Sequence, residues 1–233
     1  AKKTTKGDVK GLAISAVKNE SGTFQLLPFV WQTGGDMSNY SESGATALAY
    51  LRGMIEDGSV SEAVVNYTQE DARTQFITGK AAMMINGPWE LSTLNKDAEI
   101  EWDVAPLPKD KRAATSMGGE NVVVMNGAKQ SEAAVKLAKY LTSAEGAKIY
   151  CDGSGQLSSR PDLQGKLKLS SDPKLKVFED QLQYAHARAY GKDYPKISEA
   201  IQLSMQEALT GAATPEAAAK KASETITPLL PKN

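Results

Sequence analysis

Short apolar runs alternate with segments of helical period through the first 125 residues of this chain, and that order restricts the fold more than any other feature. Residues 11–17, with Leu12, Ile14 and Val17, read as a strand. Phe24 to Trp31 is apolar almost throughout and stops at Gly34-Gly35-Asp36, which predicts a short buried helix with Pro28 in its first turn. Ala47, Leu48, Leu51, Met54 and Ile55 recur at the three-and-four spacing of one helical face, with Gly58 as the stop. Thr68 is placed to cap a helix that carries Glu70 and Asp71 in its first turn and closes at Gly79. Ala81 to Ile85 then reads as a buried strand, and Asn86-Gly-Pro-Trp89 breaks it and opens a short helix at Pro88. Residues 101–107 are expected to form a strand that Pro106 and Pro108 terminate, and residues 121–125 a fully buried one. Helices are expected over 131–141, 143–150 (ended by residues 152–155), 173–190, 196–209 and 215–229. Strands alternating with helices, followed by a run of helices, describe an α/β protein with an appended helical region.

Composition removes several functions. With 27 Lys+Arg against 28 Asp+Glu the formal charge is −1, without the clustered basic surplus that nucleic acid binding requires. No apolar run approaches the roughly 20 residues that cross a bilayer, and the first residues lack the apolar core of a secretory signal, so any targeting segment is expected to lie outside these residues. The single Cys151 has no partner for an internal disulfide or a zinc knuckle. His186, the only histidine, falls within the expected 173–190 helix and reads as a surface residue, since no nucleophile elbow accompanies it. There is no calcium loop, Walker loop or Gly-x-Gly-x-x-Gly, so no metal or cofactor is expected.

Two constellations remain. Glu99, Glu101 and Asp103 alternate with Ile100 and Trp102, which on a strand sets carboxylates on one face about 7 Å apart, within the range of glycosidase acid and base pairs. A solvated strand face has the same pattern, and nothing in the sequence separates the two carboxylates' acidities as the reaction requires. Trp89 and Trp31 each stand at the edge of an element, where α/β folds bind ligands. There a Trp can stack on a ligand or simply cap the core.

Residues 82–90, Ala-Met-Met-Ile-Asn-Gly-Pro-Trp-Glu, resemble the extracellular solute-binding proteins of sugar-importing ABC transporters, the maltose-binding-protein-like group. Phe29 to Asp36, Gly79 to Met83, Trp102 to Pro108, Gly118 to Asn121, Ala133 to Gly146, and Gly211 with Thr214 to Ala218 follow in that family's order, so the resemblance covers nearly the whole chain. It implies a type II periplasmic-binding-protein-like fold in which two lobes close on a sugar by hinge motion. Residues 1–117 resemble the first part of the C-terminal lobe, 118–163 the hinge crossing and a segment of the N-terminal lobe, and 164–233 the helical return. The family's first stretch, about a hundred residues or one domain's worth, has no counterpart here. The implied ligand contacts are Trp89, Trp31, Phe24, Gly119, Glu120 and Arg188, and the implied ligand is a di- or oligosaccharide, with permease subunits as partners and no enzymatic activity. An extracellular or periplasmic location follows, with any membrane anchor lying before these residues. Val122 to Val124 would then be exposed, or paired with another molecule, where the other lobe is absent. The alternatives are a glycoside hydrolase using Glu99, Glu101 and Asp103, and a docking half of a split binding protein.

Overall fold

The computed structural model describes residues 1–231. Asn19 opens helix α1 (Glu20–Gln32) by accepting the Ser21 amide on its side chain at 2.8 Å. Helix α2 (Tyr40–Glu56) turns Tyr40, Leu48, Leu51 and Ile55 inward. Helix α3 (Gln69–Ile77) starts at Thr68, whose hydroxyl accepts the Asp71 amide while the Asp71 carboxylate accepts the Thr68 amide. A single 3₁₀ turn, Pro88–Glu90, leads into α4 (Leu91–Asp97). There follow β1 (Thr115–Met117), α5 (Ser131–Leu141), α6 (Ala144–Ser154), α7 (Pro173–Gln181), β2 (Ala185–Ala187), α8 (Tyr194–Thr210) and α9 (Pro215–Ile226).

The core lies between α1, α2, α8 and α9, so the two ends of the chain close on each other. Leu26, Leu27 and Val30 of α1 meet Leu48 and Leu51 of α2, Ile197, Ile201 and Met205 of α8, and the small Ala218, Ala219 and Ala222 of α9. Tyr40 is buried in this core with its hydroxyl 2.8 Å from Ser204 Oγ, and burial pushes its phenol well above the ordinary value. Beside the helices, the segments expected as strands at 11–17 and 81–85 run parallel. The Ala82 amide donates to Lys10 O, and the Ala13 amide to Met83 O, each at 2.9 Å. They pair only through isolated bridges. Gln25, buried on α1, accepts the Ser15 amide at 2.8 Å and donates to Ile85 O at 2.9 Å, fixing both extended segments to the helix.

Pro28 stands inside α1, not in its first turn. A proline there supplies no N–H for the carbonyl four residues earlier, that of Phe24. The hydroxyl of Ser116, on β1, donates to that carbonyl at 2.7 Å. The missing helical bond is thus replaced by a tie to β1, which pairs in parallel with β2 in the register Thr115↔Ala185, Ser116↔His186, Met117↔Ala187.

Other expectations need correction. Residues 101–107 form no strand, since their prolines leave a short extended run with no partner edge. Residues 121–125 are neither regular nor buried: Val123 is 70% and Met125 74% exposed. Their apolar run reads as a core strand only if a sheet is there to receive it, and among the described residues they pair with no strand. The exposure of Val122 to Val124 is what the family resemblance implied. Helix α5 is amphipathic as its spacing requires, yet none of its residues is buried, Leu137 and Tyr140 included. The 173–190 helix stops at Gln181 and gives way to a 3₁₀ turn and β2, so His186 is a strand residue, half-buried against Trp31.

Two stability predictions follow from these contacts. Ser116→Ala leaves the Phe24 carbonyl without its donor and should cost about 1 kcal/mol, whereas in a Pro28→Ala background residue 28 can supply the donor and the Ser116→Ala cost should largely vanish. Urea unfolding of the four proteins measures this, and equal costs in both backgrounds would disprove the exchange of donors. Thr68→Ala should cost about 1 kcal/mol at neutral pH. Hydrogen bonds from Thr68 hold the Asp71 carboxyl below its ordinary 3.8, so their contribution is complete above that value and lost as the pH falls through the lowered one. Thr68→Ala keeps the backbone amide and removes only the hydroxyl, so the gap between the variant and the parent should narrow by the hydroxyl's share between pH 5 and the acid limit; a constant gap would show that the hydroxyl–carboxylate bond contributes nothing.

Candidate functional site

Parallel pairing of β1 with β2 brings the residues that follow each strand, Gly118 and Arg188, to the same edge. Both lie against Phe24. The Arg188 guanidinium carbon stands 4.7 Å from the centre of the Phe24 ring, a cation–π contact. A Cβ added to Gly118 would fall 3.0 Å from Phe24 and 3.3 Å from Arg188 Nη2, so glycine is what lets the strand end approach the ring. On its other side Phe24 meets Trp89 edge-on, with centroids 6.0 Å apart and planes at 65°. Phe24 and Trp89 are each half-buried, so they form a continuous aromatic surface that water reaches.

Local sequence explains how Trp89 is held. The extended segment ends at Asn86, whose Oδ1 accepts the Gly87 amide at 3.0 Å and the Trp89 indole N–H at 3.1 Å, while its Nδ2 donates to Gln69 O at 3.0 Å. The indole folds back over Gly87, where an added Cβ would come within 2.1 Å of the ring. Pro88 begins the 3₁₀ turn and Glu90, buried, pairs with Arg73 at 2.8 Å beneath it. From the opposite side Gly155, at φ +72°, ends α6 against Pro88: a Cβ there would lie 3.2 Å from the Pro88 carbonyl.

Arg188 is held by α1 and α8. Its Nη1 pairs with the Glu20 carboxylate, in direct contact, and lies 3.3 Å from the Tyr194 hydroxyl, which also donates to Glu20. Glu20 Oε2 accepts from Ser198 Oγ at 2.6 Å. Burial and the hydrogen bond to Glu20 push the Tyr194 phenol up to about 12, which keeps it a donor at neutral pH. Arg188 Nε is buried and has no partner among the described residues.

Of the six expected contact residues, Phe24, Trp89 and Arg188 are assembled directly. Gly119 is open on its Cβ side, and Glu120 is exposed with Gln156 Nε2 donating to it at 3.3 Å, both on the segment leaving β1. Trp31 does not join them. It is 0% exposed, stacked on His186 with centroids 4.9 Å apart, and its indole N–H donates to Tyr190 Oη at 3.0 Å and Asp36 Oδ1 at 3.2 Å. Between the two roles its position allowed, it fills the core one, because α1 turns it towards α2 and β2. Glu20, Tyr194, Ser116 and Asn86 escaped the sequence reading. Only Asn86, in the breaker before Trp89, carried a local signal; Glu20 meets Arg188 across 168 positions. Glu99, Glu101 and Asp103 are all exposed on an irregular stretch, with no strand to align them. No cluster able to hold a metal ion exists among the described residues.

The chain and its fold have known counterparts. The chain is 30% identical over 103 residues to a maltooligosaccharide ABC transporter solute-binding lipoprotein of Streptococcus pneumoniae, 43% of this chain and 24% of that protein. It is 24% identical over 185 residues to the galactooligosaccharide-binding protein of Bacillus subtilis, 76% of this chain and 41% of the relative. Among solved structures, an ABC transporter solute-binding protein of Thermotoga lettingae bound with α-D-tagatose superimposes at a TM-score of 0.86 with 30% identity, over 96% of this chain and 60% of that one. Maltose-bound MalE3 of T. maritima superimposes at 0.82 with 27% identity, over 95% and 61%. The fold is therefore that of the type II periplasmic binding proteins, of whose length this chain spans about three fifths in the solved structures and less than half in the curated relatives. Residues 1–177 match the family described as bacterial extracellular solute-binding protein, and the chain belongs to that family.

Proposed function

We propose that this chain carries most of the sugar-binding unit of an ABC importer, and that the Phe24–Trp89 surface is its carbohydrate platform. The observation that supports this reading best is the aromatic pair itself: two half-buried rings in contact, fixed by Asn86 from one side and Arg188 from the other, and open to solvent. Sugar rings present faces of C–H groups that stack on such surfaces, while polar neighbours fix their orientation. Glu120 and the open backbone at Gly119 lie on the segment leaving β1 and supply polar contacts. The ligand is a di- or oligosaccharide, in keeping with the relatives named above.

On this reading residues 1–117 and 164–233 form one lobe, and 118–163 crosses into a second. The shared core of α1, α2, α8 and α9 supports the first part; the exposed apolar faces of 122–125 and α5 support the second, since a further wall would cover them. Closure of two walls on the sugar would present a recognisable shape to permease subunits, outside the cytoplasmic membrane and held near it by an anchor preceding these residues. The role is binding and delivery, since the exposed Glu99, Glu101 and Asp103 lack the paired environments hydrolysis needs.

A polypeptide of residues 1–233 alone should bind weakly, because affinity for a sugar grows with the surface that encloses it. Titration with maltotriose and with a galactooligosaccharide, followed by calorimetry and by backbone amide resonances, should show saturable binding to one of them. Trp89→Ala should weaken that binding by about 1 kcal/mol, roughly fivefold. Affinity unchanged by Trp89→Ala, or shifts confined to residues remote from Phe24, would remove the platform from the proposal.

A further inference from the structure

Among the described residues Arg188 is the cation recorded against the aromatic platform, and what it does depends on whether its charge is free. Its side chain is 18% exposed, with the guanidinium carbon 4.7 Å from the centre of the Phe24 ring, and the Glu20 carboxylate, 48% exposed, pairs with Nη1. Glu20 is itself held in place by two further donors, the Tyr194 hydroxyl and Ser198 Oγ. Ser198 is in turn 2.8 Å from Thr23 Oγ1 and accepts from Gln202 Nε2 at 3.0 Å, so the carboxylate is set by α1 and α8 together. A guanidinium facing a cleft is ordinarily a strong receptor for carboxylates. Here one guanidinium nitrogen, Nη1, is engaged from within the chain, and the Glu20 carboxylate balances the charge.

We infer that Glu20 is a specificity-determining residue: by engaging Arg188 it turns a carboxylate receptor into a support for Phe24, and so restricts the platform to uncharged sugars against acidic ones. The inference rests on the platform proposed above. Glu20 acts through Arg188 and is a positioning residue. Arg188 is suited to both roles, because a planar guanidinium can lie on a ring while its edge bonds a carboxylate.

The test uses the whole chain, with methyl glucoside and sodium glucuronate as matched neutral and acidic probes at constant ionic strength. Binding is read from the Arg188 Nε–H and Trp89 indole N–H resonances. The parent protein should respond to glucuronate no more strongly than to methyl glucoside. Glu20→Gln should respond to glucuronate at about tenfold lower concentration than the parent does, and Glu20→Gln with Arg188→Gln should lose that gain. A Glu20→Gln protein that is folded and still indifferent to glucuronate overturns the inference, as does a parent that already prefers it. If Glu20→Gln does not fold, Arg188→Gln alone decides: it should displace the Trp89 indole resonance in the absence of any sugar, and an unmoved resonance would refute the support role. Failure of both probes to move Trp89 in the parent would count against the platform, while the Arg188 resonance in Glu20→Gln would still judge Glu20.

Discussion

The hydrogen bond from Ser116 to the Phe24 carbonyl is the contact on which the site depends. It exists because Pro28 cannot supply the helical donor, and a buried carbonyl without a partner is costly. Satisfying it fixes β1 against α1 at the residue whose ring faces the cleft. The parallel register with β2 then sets Gly118 and Arg188 side by side over that ring. One unusual residue inside a helix thereby determines where two distant parts of the chain, 24 and 188, come together. Moving the proline a turn in either direction would free a different carbonyl and put the tie elsewhere.

A second restraint works from the opposite side. Gln25, next to Phe24, reaches Ser15 and Ile85 and holds the extended segment that ends at Asn86. Trp89 is three residues further on, tied back to Asn86 through its indole. Phe24 and Trp89 are thus each positioned by backbone-directed polar contacts from α1, and their edge-to-face packing is a consequence of where those contacts put them. Rings fixed in this way lose little freedom when a ligand settles on them, and small ordering costs favour affinity.

Local pattern made much of this legible. The helix over 43–55 and its stop at Gly58, the Thr68 cap, the breaker before Trp89 and the Gly155 end of α6 are all short-range physics, and each is present. What failed was long-range. The valines at 122–124 spell a buried strand, but burial depends on a sheet supplied from elsewhere. Trp31 and Trp89 look alike in sequence, each beside glycines, and only packing sends one into the core against His186 and the other to the surface. His186 itself was misplaced because a helical period runs through 173–181 and nothing local marks its end; the pairing with Ser116 of β1 decides it. Glu20 was invisible for a similar reason, as an acidic residue in a first helical turn ordinarily needs no partner beyond the helix dipole.

The ion pair at Arg188 shows why a charged residue can sit at a carbohydrate surface without making it a charged one. A guanidinium over Phe24 with no carboxylate would be a partly desolvated cation, costly to keep and ready to take any anion from solution. Glu20 offsets that cost at Nη1, and the Tyr194 and Ser198 hydroxyls offset the matching cost on Glu20 by donating to it. A surface pair of this exposure contributes little to stability by itself, so its value lies in what it keeps the guanidinium from doing. Lysine could balance the charge, but its ammonium would not lie flat on the ring while bonding a carboxylate at its edge. The requirement for arginine at 188 therefore comes from two contacts made at once, to Phe24 below and Glu20 beside it, and neither contact alone would select it.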